Sequence, residues 1–526
     1  MELYAWQAAV LAVVGVCTSL RQLLGWLYLF QLDEYLPSRL WPTARRRLRE
    51  KLPWQLALAL GGIALALAGA VLTRRVLLPA LILAAVLPLG LYRPFATRSR
   101  LTWTRRARRL ALSAAGLTLV ALFFAFWAGP EGALAMGLVD LVLVAALSLA
   151  TALLSPYEAG QRRRYIGMAR ARLRASGPLV IGITGSYGKT TTKVLLQQLL
   201  DSADSPCFAT PESFNTTLGV CRAINEGLAP EHRVAVVEMG AYRPGEIAEI
   251  CSFTEPRVAI LTAIGLMHLE RFGTRRRIAE AKSELLAAVP EGGFAVMPSA
   301  IAEKDVLLSH LRARLVQVGT DQDRFWVEDE EVTAEGTSFR LRGSSGEDLS
   351  LVTPLYGRHL LSDLLCALAV AIELGQPLAE LKQKVGRLRG AAHRLEVTRN
   401  AGITIIDDAY NSNPDGAAEA LRLLGALPGV RRVLVTPGYI ELGPEQEQNM
   451  IDLGEMAADV CTHVILVGPR RSAPIRMGLD RRGFPGHQVS VVADLAEAQK
   501  ILPSVAGVGS VVLFENDLPD QYLEGS

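Results

Sequence analysis

Apolar positions are spread unevenly along this chain of 526 residues. The first third consists of almost unbroken apolar runs: Trp54–Leu72, Val76–Leu91, Leu110–Ala128 and Gly132–Leu154, with a weaker run, Tyr4–Leu20, ended by Arg21. Runs of this length suit a hydrocarbon core about 30 Å thick. They predict a transmembrane α-helical bundle of about five helices over residues 1–155. The pattern changes at Pro178, after which short Val/Ile-rich stretches alternate with helical periodicity, as in an α/β protein. Strands are predicted at Leu179–Thr184, Val234–Glu238, Val258–Thr262, Thr404–Ile406, Arg432–Val435 and His463–Val467. Between Phe325 and Thr353 apolar and polar residues alternate singly, predicting a small antiparallel insert. Strand–helix alternation restarts near Glu396. The expected order is a membrane domain (1–155), a basic helical connector (156–175) and two α/β domains (176–395 and 396–526).

Charge orients this arrangement. Six Lys/Arg fall in residues 39–51, seven in 93–109 and six in 162–174, whereas the alternate loops hold only Arg74 and Arg75, then none around 129–132. Basic loops face the cytoplasm. The expectation is therefore a multi-pass cell-membrane protein with its N-terminus outside and everything after Leu154 cytosolic. No basic segment precedes the first run, which argues against a cleaved signal peptide. Residues 1–175 carry 22 basic and 7 acidic side chains, a net of +15, so the remainder carries −12 within a formal total of +3. Basic flanks of this kind favour anionic lipid heads, and nucleic acid is not an expected partner. The six cysteines form no CxxC pair, which excludes a zinc ribbon and suits a reducing compartment. Asp140 lies inside an apolar run, where charge is costly. It has three readings: contact with a lipid head, pairing with Arg21, or a place nearer the outer interface.

The chemistry begins at "IGITGSYGKTTT", residues 181–192. A predicted strand runs into a glycine turn and then a helix starting near Lys189, so backbone N–H groups and a helix N-terminus face an anion. The strict GxxxxGK[ST] form would need glycine at 183, where Ile183 stands. In this context Lys189 reaches terminal phosphates and the Thr190 hydroxyl holds Mg²⁺. Thr184, Gly185, Ser186, Gly188, Lys189, Thr190 and Thr191 form the predicted nucleotide-binding loop. A magnesium site needs a second acidic group at a neighbouring strand tip. Glu238, closing "RVAVVE", supplies it.

Five segments then occur in order: "TGSYGKTTT", "VEMGAYRPGEI", "HLERFGT" with "AEAKSEL", "AAHRLEV" and "DDAYNSNPDGAAEAL". Together they resemble the Mur ligases, most closely the D-alanyl-D-alanine-adding (MurF-type) branch, over roughly residues 176–526. The family loop is TGxxGK[TS], which accounts for Ile183. The resemblance implies a P-loop central domain and a Rossmann-like C-terminal domain that use ATP and Mg²⁺. It implies an ATP-dependent carboxylate–amine ligase of cell-wall assembly, which joins D-alanyl-D-alanine to a muramoyl tripeptide. The partners it implies are a UDP- or lipid-linked precursor peptide and a D-amino-acid dipeptide, with membrane lipids and other membrane cell-wall enzymes alongside. It further implies Thr190, Glu238 and His268 as metal ligands. Lys189, His268 and Lys282 become catalytic, Lys282 at a position carbamylated in several relatives. Arg394, Asp407 and Asn411 would contact the nucleotide, and Asn215, Asp408 and Asn413 the substrates. Asn413-Pro414 also reads as a helix cap and first turn, so Asn411 and Asn413 keep a structural reading. Asn215 equally suits a turn.

Two departures stand out. The family usually carries asparagines where Leu360 and Asp363 stand, and many relatives carry an aspartate where Gly438 lies. Membrane runs also occupy the place of the usual UDP-binding domain. Two rival readings follow: the same chemistry on a lipid-linked, capsular or poly-glutamate acceptor, and a non-catalytic nucleotide-binding membrane scaffold.

Overall fold

A computed structural model of the chain describes residues 19–32, 35–45, 101–127, 139–266, 269–333, 336–410, 412–440 and 442–517. These belong to two compact units, residues 1–161 with 519–526, and residues 162–518.

In the first unit helical segments at 19–32 and 37–45, a helix at Arg105–Trp127 and the first turns of α1 (Val139–Ser176) share a core of Trp26, Leu27, Phe30, Leu110, Leu143 and Leu147. Asp140 is buried there and accepts a hydrogen bond from Trp26 Nε1 at 2.8 Å, a partner the sequence did not suggest. The expected multi-pass membrane localisation is corrected here. Among the described residues one helix, Asp140–Ser176, is long and apolar enough to cross a membrane, where five spans were expected. The run Leu110–Ala128 falls largely within the helix Arg105–Trp127, whose N-terminal end carries Arg105, Arg106, Arg108 and Arg109. The runs Trp54–Leu72 and Val76–Leu91, and nearly all of Tyr4–Leu20, lie outside the described residues. Several arginines in the basic turns of α1 make contacts within the protein. Arg162 pairs with Glu249, Arg172 donates to the Leu228 and Asn225 carbonyls, and Arg174 meets Glu255 at 3.0 Å.

The second unit holds two sheets. The first has nine strands in the order β2-β3-β1-β4-β5-β6-β7-β8-β9. These are β1 (Leu179–Thr184), β2 (Cys207–Ala209), β3 (Val234–Glu238), β4 (Val258–Leu261), β5 (Phe294–Pro298), β6 (Arg314–Gly319), β7 (Phe325–Thr333), β8 (Gly336–Gly343) and β9 (Asp348–Thr353). Pairing is parallel from β2 to β7, then antiparallel through β8 and β9, which is the predicted insert. Alternate residues of the parallel strands face opposite layers. Ile181, Ile183, Val236 and Ile260 bury against α2 (Lys189–Leu200) and α6 (Arg358–Glu373). Val180, Val237 and Ala259 bury against α3 (Thr217–Gly227), α4 (Glu246–Thr254) and α5 (Arg275–Ala288). Strands covered on both faces must be apolar throughout, which is why β1 and β4 read as continuous runs.

The second sheet runs β10-β11-β15-β12-β13-β14: β10 (Glu396–Asn400), β11 (Ile403–Asp408), β12 (Arg431–Thr436), β13 (His463–Val467), β14 (Val489–Val492) and β15 (Ser510–Glu515). All pairs but β10–β11 are parallel. Helix α7 (Leu378–Val385) precedes this sheet, and α8 (Pro414–Ala426), α9 (Gln446–Val460), α10 (Ala473–Arg481) and α11 (Leu495–Val505) cover it. In parallel α/β sheets ligands bind beyond the carboxyl ends of the strands, so the loops after β1, β3, β11, β12 and β15 position any site.

Candidate active site

The turn between β1 and α2 brings backbone close to its neighbours. Gly188 adopts φ +78 as the cap of α2, and a Cβ there would lie 2.1 Å from Asp363 Oδ1. A Cβ on Gly185 would lie 1.9 Å from Thr262 Oγ1. Only glycine fits either place. Ser186 exchanges hydrogen bonds with the backbone of Gly265, and Thr184 donates to the Met239 carbonyl at 2.9 Å, pinning the turn to the tip of β3. Thr191 is buried.

A cavity opens at this turn, lined by Gly185, Ser186, Lys189, Asn215, Tyr242 and Lys282 among others. Lys189 Nζ folds back onto the carbonyls of Gly185 (2.8 Å) and Ser186 (3.1 Å). Burial brings its pKa down to about 8, with Glu238 pulling the other way. At the tip of β3, Glu238 is almost fully buried and both oxygens are held: Lys193 Nζ lies 3.0 Å from Oε2 and Asn215 Nδ2 donates to Oε1 at 2.9 Å. Burial acts to raise the Glu238 pKa, but Lys193, Lys189 and the Asn215 bond outweigh it and keep it below the ordinary carboxylate range. Lys282, on α5, is 4% exposed, and burial, helped by the Lys189 charge, drives its pKa well below the usual lysine value.

Across the cavity rim Arg394 donates to Thr190 Oγ1 at 3.4 Å and lies over the Tyr410 ring at 4.5 Å. Tyr410 also hydrogen-bonds Ser213, in the loop that carries Asn215. Asp407 Oδ2 is 2.7 Å from His393 Nδ1 and raises the His393 pKa. Asp408 Oδ1 accepts from the Leu395 amide at 3.1 Å, and burial pushes its pKa up to about 6. Asn413 takes the capping alternative, accepting from Gly416 N at 3.0 Å. His268 and Asn411 lie outside the described residues. The structure therefore gathers Lys189, Thr190, Glu238, Asn215, Lys282 and Arg394, and keeps Asn413 for its helix.

Three features escaped the sequence reading. Lys193 is one helical turn beyond Lys189, and that spacing in "GKTTTK" was the available signal. Asp363 stood out only as a departure, yet burial against the turn raises its pKa to about 7, opposed by Arg394 and Lys189. Gly438 adopts φ +80 and its carbonyl accepts from Asn516 Nδ2 at 2.7 Å, so the turn where relatives place an aspartate is fastened to the end of β15.

The comparisons agree with this geometry. The Mur ligase middle domain matches residues 183–371 and the Mur ligase glutamate ligase domain matches residues 393–515. The UDP-N-acetylmuramoyl-tripeptide–D-alanyl-D-alanine ligase of Mycobacterium leprae is 30% identical over 66% of this chain and 72% of its own length. The chain belongs to the Mur ligase family. The ligase of the same name from Escherichia coli K12 is 32% identical over 56% of this Mur ligase and 65% of the relative, so the chain spans about two thirds of the length of these relatives. Among solved structures, MurF from Acinetobacter baumannii superposes with a TM-score of 0.61 at 27% identity, covering 69% of this chain and 78% of that one. MurF ligase from Thermotoga maritima in complex with ADP gives 0.61 at 26% identity, covering 69% and 82%. Mur ligases are ATP-dependent amide ligases that use Mg²⁺. The donor set here fits such a load: a glycine cradle and Lys189 for phosphate oxygens, with the Thr190 hydroxyl and an ionised, oriented Glu238 for a hard divalent cation.

Proposed function

We propose that this Mur ligase joins D-alanyl-D-alanine to a UDP-N-acetylmuramoyl tripeptide at the expense of ATP, with residues 176–395 as the ATP-binding domain and 396–526 as the amine-side domain. The observation that carries the reading is one cavity in which Lys189, Asn215 and Lys282 converge beside the buried Glu238. A carboxylate is a poor electrophile, so such an enzyme activates it by phosphorylation before the amine attacks, and catalysis is mostly charge neutralisation and positioning. Lys189 and the amides of Gly185–Gly188 would hold the terminal phosphates. Thr190 and Glu238 would hold Mg²⁺, which supplies Lewis-acid stabilisation of the transferring phosphoryl group when bound. Arg394 bridges the loop and the second sheet and so orders the two halves of the site. Burial of Lys282 lowers its pKa and so favours the neutral amine, the state that captures CO₂. Carbamylation there would turn a lysine beside Lys189 into a carboxylate suited to a second Mg²⁺.

The test supplies UDP-N-acetylmuramoyl-tripeptide, D-alanyl-D-alanine and Mg·ATP, and follows phosphate release and product mass. Phosphate release that requires both substrates, with a product heavier by the dipeptide less one water, is expected. Release that ignores either substrate refutes the proposal.

A further inference from the structure

The second sheet holds a buried acidic site that the ATP chemistry leaves unused. Strands β11 and β15 are adjacent and parallel, and Asp408 stands in register with Glu515 at their carboxyl ends. Residues in register on neighbouring strands project to the same face, so two carboxyl groups meet beyond the sheet, where ligands of such sheets bind. Neither has an ion-pair partner among the described residues. The Ser412 hydroxyl donates to Glu515 Oε1, while Glu515 Oε2 is buried with no hydrogen-bond partner among the described residues. Tyr439 is fully buried, and its hydroxyl likewise has no partner among them. The bond from Asn516 to the Gly438 carbonyl fixes Tyr439 beside the end of β15, close enough to Glu515 for the two groups to act on one another. Burial raises the Glu515 pKa well above the ordinary carboxylate value, a shift that a bound cation would oppose.

Unmatched buried acceptors cost free energy on the order of 1–3 kcal/mol each, so this arrangement asks for a donor. A divalent cation is a poor candidate, because no group of three or more metal-type side chains forms among the described residues. A primary ammonium is a good one, with one positive charge and three N–H donors. The position also suits the reaction. Tyr439 lies within electrostatic range of Tyr187 on the glycine turn, and Asp408 within range of Arg394, which touches Thr190. We propose that Glu515, with Asp408, Ser412 and Tyr439, forms the subsite that receives the ammonium group of the incoming amine and holds it toward the activated carboxyl. This rests on the ligase reading above.

The experiment melts the full chain in the presence of Mg·ADP with methylammonium, D-alanyl-D-alanine or tetramethylammonium added. Methylammonium and the dipeptide should raise the melting temperature saturably, and tetramethylammonium, which has no N–H, should not. Glu515→Gln and Tyr439→Phe should each raise the half-saturating concentration roughly tenfold, the scale of one lost charge-assisted hydrogen bond. Tyr439→Phe keeps the ring and discards an unpaired buried hydroxyl, so a purely structural role would leave the ammonium response unchanged and the protein at least as stable. No response to the two primary ammonium compounds, an equal response to tetramethylammonium, or unchanged saturation in both variants would overturn the inference. Absence of a Mg·ADP shift in the unaltered protein would count against the ligase reading instead.

Discussion

Asp363→Asn should make the protein more stable, and by an amount that depends on pH. The carboxyl of Asp363 is packed against Gly188 and almost wholly buried, and burial raises its pKa from 3.8 to about 7. Between those limits the folded chain keeps a proton that the unfolded chain has lost. Unfolding then releases a proton, so stability falls as pH rises from about 4 to about 7 and is level beyond. A shift of about three units at 1.36 kcal/mol each gives an upper bound of ~4 kcal/mol, and local water penetration would reduce it to about 2–4 kcal/mol. Asparagine has the same shape and no titration, so the stability gained over the parent should be small at pH 4 and grow to that size at pH 7.5. Urea unfolding followed by hydrogen exchange in peptides from β1 and α2 reads this domain rather than the whole chain. A difference between the two proteins that stays constant within ~0.5 kcal/mol from pH 4 to 7.5 would refute the reasoning.

Other perturbations have definite outcomes. Lys189→Ala should abolish the Mg·ADP-induced rise in melting temperature and lower ATP-dependent phosphate release by about a hundredfold or more. Lys193→Met strands the Glu238 carboxylate in a buried site and should cost about 3–5 kcal/mol in urea unfolding, whereas Lys193→Met with Glu238→Gln should recover much of it. Gly185→Ala should weaken nucleotide binding through the clash with Thr262, visible as a reduced Mg·ADP thermal shift. In Asp407→Asn the His393 imidazole loses the carboxylate that raises its pKa, so its NMR titration midpoint should move to lower pH.

Much of the α/β part was legible because its strands are local and strongly apolar: β1, β3 and β13 have the predicted bounds. Strands β2, β5, β6, β10 and β14 were missed; β2 and β14, three and four residues long, are too short to carry a period. Strand β15 was missed because its six residues follow a Gly-rich stretch with no helical pattern behind them to mark a βα unit. The loop, Glu238 and Arg394 could be read from order along the chain. Lys193, Asp363 and the Glu515 group could not, since each owes its meaning to a residue tens to hundreds of positions away. Hydropathy by itself cannot distinguish a helix facing lipid from one facing a protein core: within one apolar run Leu143 and Leu147 are fully buried against protein while Leu149 and Leu153 are exposed.

The antiparallel meander gives this molecule a place for a reporter. Strand β7 lies four positions along the sheet from β1, about 19 Å at normal strand spacing. The exposed turn Ser344–Gly346 between β8 and β9 is therefore remote from the glycine loop, although α6 connects the meander to Asp363. The five described cysteines are buried, with thiols pushed up to about 12 or beyond. A cysteine introduced at the exposed Ser345 should react with maleimide dyes ahead of those five, so fluorescence could follow nucleotide loading without touching the residues that perform it.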